Sequence, residues 1–140
     1  MRLSRRRTLT LGMAGAAIAM LPVPGGADAA QDDDLIARFT GGAETVSGPL
    51  TMDAPSVAEN GASVTISVEC PGAVSIRVLA LANPTPVICT FTFGPLSGSH
   101  RVSTRIRLAE SQEVIALARM EDGSFAEARA HVSVTLGGCT

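Results

Sequence analysis

The feature that most constrains this chain is a strict two-residue alternation that recurs between turn signals. In the stretch 101–108, Val102, Thr104, Ile106 and Leu108 interleave with Arg101, Ser103, Arg105 and Arg107. Successive side chains of a β-strand point to opposite faces, so this pattern makes a strand with one packed face and an arginine ladder on the wet one. The same period runs from Val64 to Val68, through Val74, Ile76 and Val78, and from Phe125 to Leu136. In that last run Ala126, Ala128, Ala130, Val132 and Val134 share a face, opposite Glu127, Arg129, His131, Ser133 and Thr135. Glu113 to Met120 is apolar on both faces, as a central strand is, and Val87 to Phe93 is β-branched and aromatic.

Asn60-Gly61, Pro71-Gly72, Asn83-Pro84-Thr85-Pro86, Gly94-Pro95 and Asp122-Gly123 punctuate these runs. Short strands with turns every 8–12 residues or so predict an all-β fold, an immunoglobulin-like antiparallel β-sandwich. One short helix precedes it, over Asp32 to Phe39, with Leu35, Ile36 and Phe39 on one side and Gly41-Gly42 as its stop. The acids Asp32, Asp33 and Asp34 suit the positive end of that helix.

Arg2, Arg5, Arg6 and Arg7 precede an apolar, small-residue run from Leu9 to Leu21, and Ala27-Asp28-Ala29 fits a small-x-small cleavage site. That order predicts a secretory signal over 1–29, and Ser4-Arg5-Arg6-Arg7-Thr8-Leu9 resembles a twin-arginine export signal. The run is too short and too rich in Gly and Ala to span a bilayer, and no cysteine near the cleavage site offers a lipid anchor. The expected locale is therefore the periplasm. The β-sandwich domain is expected over 30–136 and a C-terminal arm over 137–140. Four of the 11 basic and one of the 13 acidic residues lie in the signal, leaving 7 and 12, a balance of −5, with no lysine. Such a surface lacks the basic clusters that nucleic acid requires. The absence of Trp and Tyr leaves little for stacking on bases or sugars.

The chemistry points to the chain end. The last strand runs into Gly137-Gly138-Cys139-Thr140. Two glycines widen the backbone choices, and four extended residues reach about 13–14 Å. That suits a flexible carrier arm, whereas a catalytic thiol needs a rigid shell and a nearby positive charge. No metal site is expected: His100 and His131 form no pair at ligand spacing, and there is no Cys-x-x-Cys. No cofactor is expected either.

The chain resembles the SoxY family, sulfur-carrier subunits of the bacterial thiosulfate-oxidising system. The resemblance is carried by Ile36-Ala37-Arg38-Phe39-Thr40-Gly41-Gly42, Ala58-Glu59-Asn60-Gly61, Asn83-Pro84-Thr85-Pro86 and Thr90-Phe91-Thr92-Phe93. It is strongest over Val102 to Gln112 and ends with Val134-Thr135-Leu136-Gly137-Gly138-Cys139. It implies a covalent carrier rather than an enzyme, with thiosulfate-derived sulfur attached at Cys139 and Gly137 and Gly138 as its tether. The implied partners are a SoxZ-like subunit in a heterodimer and the periplasmic enzymes that load and process the sulfur.

Two departures stand out. Thr140 replaces the family's final Gly-Gly, and Cys70 and Cys89 are additional. Three cysteines in an oxidising compartment suggest a Cys70–Cys89 disulfide with Cys139 free; the alternative is two unpaired cysteines in the core. From a different functional class, a secreted immunoglobulin-like interaction module would use Cys139 for an intermolecular disulfide.

Overall fold

The computed structural model describes residues 26–135, with side chains from residue 30. One helix, α1 (Gly26–Thr40), precedes nine strands: β1 (Thr45–Val46), β2 (Thr51–Asp53), β3 (Val57–Ala58), β4 (Val64–Glu69), β5 (Ala73–Ala80), β6 (Val87–Thr92), β7 (Arg101–Ile106), β8 (Gln112–Met120) and β9 (Phe125–Val134). They form two sheets. The larger has the order β1-β9-β8-β5-β6, with β3 also on β9; the smaller is β2-β4-β7. All pairs are antiparallel except β1 and β3, which run parallel to β9. The expected sandwich is present, and each long predicted run is a strand.

The two sheets face each other across a core of aliphatic side chains. Ile66 and Val68 from β4 meet Ile76 and Val78 from β5, Val114 and Ala116 from β8, and Val132 from β9, all buried. Alternation explains most of this face, with one exception. Between Ala73 and Ser75 the β5–β8 register shifts, so Ala73 opposes Met120 and Ser75 opposes Arg119. This bulge leaves Val74 half-buried and buries Ala73 and Ser75. The expectation that Val74 continues the packed face of Ile76 and Val78 is corrected by that extra residue.

The helix explains why β8 is apolar on both sides. Ile36 and Phe39 cover the outer face of the larger sheet, over the buried trio Leu79, Ile115 and Leu117. The Phe39 ring meets Phe125 edge-on at 5.9 Å, and the Arg77 guanidinium lies 4.9 Å over it. Phe39 is half-buried, so its burial is worth less than the about 1.5–3 kcal/mol of a fully buried aromatic side chain. The helix starts at Gly26, six residues before the predicted Asp32. It ends where expected: Gly41 and Gly42 take φ of 66° and 84°, and the Gly42 N–H donates to Ala37 O at 3.2 Å, closing the last turn. No described helix is long and apolar enough to cross a membrane.

Candidate functional site at the exit of the last strand

The expected attachment point, Cys139, and its tether Gly137 and Gly138 lie outside the described residues, as do residues 1–25 of the expected signal. The structure does describe the platform from which the chain leaves for Cys139. The last residues of β9 are held on both sides. On one side β3 runs alongside in parallel, with Val57 opposite Ser133 and Ala58 opposite Val134. The Ser133 N–H donates to Ser56 O at 2.9 Å, and the Thr135 N–H to Ala58 O at 3.0 Å. On the other side β8 has ended, its first residue Gln112 lying opposite Val132. The Ser111 side chain takes over: its hydroxyl accepts from the Val134 N–H at 2.8 Å and donates to Val134 O at 3.3 Å. A side chain thus extends the ladder past the strand it belongs to.

The Asn60-Gly61 turn packs beneath this exit. The Asn60 side-chain oxygen accepts from the Ala62 N–H at 3.0 Å, an Asx turn that sets the local geometry. Gly61 O accepts from the Leu108 N–H at 2.7 Å. A Cβ on Gly61 would stand 2.5 Å from Leu108 O and 2.9 Å from Val134 Cγ1. The glycine is there because two backbone segments approach too closely for any side chain.

A network of side-chain amides braces the neighbouring loop. The Asn83 side chain donates to Arg107 O at 2.6 Å and accepts from the Ala109 N–H at 2.8 Å, so it behaves as one peptide unit of an additional strand. Its oxygen also accepts from Gln112 Nε2 at 2.9 Å. Gln112, only 7% exposed, donates to Glu110 O at 3.2 Å and accepts from the Ala82 N–H at 3.0 Å. Beside this network opens a cavity of about 570 Å³, lined by Asn83, Pro84, Val87, Ile88, Arg107 and Ala109 among others. Four stretches that carry the family resemblance, around Gly61, Asn83, Ser111 and Val134, therefore meet at one end of the sandwich. Sequence reasoning assigned no role to Ser111, Asn83 or Gln112. The available signal was a glutamine opening an otherwise apolar strand and an asparagine beside two prolines.

The remaining cysteines are not joined. Cys70 and Cys89 are both free thiols, which corrects the disulfide expectation. The reason is register. Cys89 lies opposite Val78, whereas Cys70 adjoins the other end of β5, where the Ala73 N–H donates to Cys70 O at 3.1 Å. Five residues of strand separate Val78 from Ala73, roughly 16 Å, far beyond the Cα spacing of about 4.4–6.8 Å that a disulfide needs. Cys70 is fully buried with its Sγ 3.4 Å from Met120 Sδ, and burial pushes both thiols above the ordinary cysteine value. Neither is an activated nucleophile.

Charged side chains lie on the outer faces. Arg129 bonds Glu113 at 2.9 Å and also Glu127; these carboxylates hold its pKa up against partial burial. Among the described residues no group of three or more His, Cys, Asp or Glu side chains is placed to hold a metal. His100 stacks edge-on against Phe93 at 5.2 Å, and His131 is exposed on β9.

Comparison with known proteins agrees with this architecture. Residues 36–139 match the family model for the sulfur oxidation protein SoxY. The solved structure of the sulfur carrier protein SoxY from Chlorobium limicola f thiosulfatophilum is similar at 30% identity and a TM-score of 0.65, covering 77% of this chain and 99% of that one. A superoxide reductase (neelaredoxin) from Ignicoccus hospitalis aligns with a TM-score of 0.55 at 15% identity, over 63% of this chain and 81% of that one, a likeness of fold alone. No curated protein matches. With a family match over most of the chain, and the fold of a SoxY protein along nearly that protein's whole length, this chain belongs to the SoxY family of sulfur oxidation proteins.

Proposed function

We propose that this chain is a periplasmic sulfur carrier, without catalytic activity of its own, that holds thiosulfate-derived intermediates on Cys139. The observation that carries the reading is the family match, which runs through Gly137 and Gly138 to Cys139. Loading joins the outer sulfur of thiosulfate to the cysteine sulfur as an S-thiosulfonate; the thiol proton and two electrons leave, the electrons to a partner oxidase. Hydrolysis of the terminal sulfonate then releases sulfate and leaves that same sulfane sulfur on the cysteine for further oxidation. The platform suits this role. Hydrogen bonds from β3 and Ser111 hold β9 through Thr135, so the tether starts from a fixed point. The two glycines beyond it allow the thiol many approach directions. A SoxZ-like subunit completes the carrier as a heterodimer, and the segment 1–29 directs export by the twin-arginine route.

The test is the intact mass of the protein from the periplasm of thiosulfate-grown cells, before and after a thiol reductant, with the modified residue mapped by peptide. A reductant-labile sulfur or thiosulfonate adduct on Cys139, lost in Cys139→Ser, is expected. A bare thiol, or a disulfide-linked dimer through Cys139 with no sulfur adduct, would overturn the reading in favour of a disulfide-forming interaction module.

A further inference from the structure

Among the described residues, strand β7 is the outer strand of the smaller sheet and pairs only with β4. Its ladder can be followed residue by residue. The Cys70 N–H donates to His100 O at 3.1 Å, and the same alternation continues along the pair. His100, Val102, Thr104 and Ile106 therefore aim their backbone groups at β4. Arg101, Ser103, Arg105 and Arg107 aim theirs outward.

This outward edge is closed at both ends. The Arg101 N–H donates to Ser99 Oγ at 3.2 Å, and Arg107 O accepts from Asn83 Nδ2 at 2.6 Å. Between those caps, among the described residues, no hydrogen bond reaches the outward N–H and C=O of Ser103 or Arg105. The β4–β7 register is unbroken across this window, and both residues are exposed. The edge strand of the other sheet differs: β6 carries an irregularity at Ile88, between Cys89 opposite Val78 and Val87 opposite Leu79. Bulges are a usual means of spoiling an edge for pairing. The β7 window carries no such irregularity, and its caps set its length at about five residues.

Its charge selects the occupant. Arg101, Arg105 and Arg107 project from the same face. Arg101 has Glu69 at 3.7 Å, while Arg105 and Arg107, among the described residues, have no ion-pair partner. A second copy is disfavoured. Antiparallel pairing of β7 about Ser103 would set Arg101 directly across from Arg105 of the other copy, and like charges in that position destabilise a sheet. An extended segment alternating acidic and apolar residues instead pairs its carboxylates with the unmatched arginines.

We propose that the β7 edge from Arg101 to Arg107 is a strand-addition site for an acidic, extended segment of a partner protein, using the outward backbone groups of Ser103 and Arg105 for affinity and Arg105 and Arg107 for selection. The inference is independent of the carrier reading, since neither Cys139 nor the exit of β9 takes part.

The test uses the full chain and a synthetic heptapeptide of alternating valine and glutamate, with a valine–lysine heptapeptide as control. Amide hydrogen exchange is read by NMR with millimolar peptide. Protection of the Ser103 and Arg105 amides by the acidic peptide only, weakening as salt rises, is expected. Ser103→Pro removes an outward N–H and keeps the backbone ladder to β4, as proline on an edge strand allows, while also losing the Ser103 hydroxyl bonds to Ser67 Oγ and Ile66 O, for which Ser103→Ala is the control; the proline variant abolishes the protection at Arg105 and the alanine variant keeps it. Arg105→Glu exchanges attraction for repulsion and weakens binding about tenfold or more. Unchanged exchange at both amides, equal binding of the two peptides, or undiminished binding by Ser103→Pro would each overturn the proposal. A homodimer that Ser103→Pro dissolves would overturn it in favour of self-pairing. Sulfur loading on Cys139 stays normal in all three variants, which separates this outcome from that of the carrier reading.

Discussion

Replacing Gly61 by alanine tests the platform under the exit of β9. The new methyl group meets Leu108 O at 2.5 Å and Val134 Cγ1 at 2.9 Å, and the first is backbone. A backbone oxygen cannot rotate away, so the Asn60-Gly61 turn must lift. Lifting it breaks the 2.7 Å bond from the Leu108 N–H to Gly61 O, worth about 0.5–1.5 kcal/mol. The crowding itself costs about 1–3 kcal/mol. Gly61 does not take a positive φ, so alanine returns about 0.4–1 kcal/mol through the unfolded chain. The net loss is about 0.5–4 kcal/mol, centred near 2 kcal/mol. Urea unfolding followed by circular dichroism should show the midpoint fall by roughly 1–2 M with an unchanged slope. Gly98→Ala is the control, because nothing lies within 4 Å of a Cβ there. A Gly61→Ala midpoint within error of wild type, or an equal fall for Gly98→Ala, would refute the close-approach argument.

Asn83→Ala and Gln112→Ala should each cost about 1–3 kcal/mol, since each leaves backbone groups without partners. Their double variant should cost less than the sum by 0.5 kcal/mol or so or more, which a double-mutant cycle reads; strict additivity would mean the amides do not act as one network. In the native protein at neutral pH, a thiol reagent should leave Cys70 unlabelled and label Cys89 slowly. Both thiols are raised by burial, so the unfolded chain ionises first as pH rises. Their contribution is therefore fully present below about pH 8.5 and declines above it; denaturant titrations from pH 7 to 10 should show that fall lessened in Cys70→Ala relative to wild type. Phe39→Ala removes the half-buried ring between Phe125 and Arg77 and should cost about 1–3 kcal/mol by thermal or urea unfolding, with faster exchange in α1.

Much of the fold was legible because its information is local. A strand's side chains alternate whatever it pairs with, so the arginine ladder of β7 and the alanine face of β9 could be read from single segments. Glycine and Asn-Gly or Asp-Gly turns are equally local, and Gly41 and Gly42 stop the helix where expected. The reading of Cys139 as the attachment point rests on its glycines and the family resemblance alone. The sequence by itself therefore determined the identity of the six longer strands, β4 to β9, the outward charge and the family.

Relations between segments were decided by the tertiary structure. Periodicity cannot tell which strands become neighbours, so it could not show that Cys89 lies five residues of strand away from the Cys70 end of β5. It could not show that β8 is apolar on both faces because α1 lies over one of them. A bulge shifts the pattern by one residue without any change of composition, and at Val74 it reversed the expected face. The platform under β9 is the clearest case. Ser111, Asn83 and Gly61 are polar or small residues in three separate loops, legible as turns or as part of the resemblance but not as partners, and they act together only because the sandwich brings those loops to one end. Hydrogen-bond partners and forbidden Cβ positions are properties of distances across the fold, and distances across the fold exist only once the chain has packed.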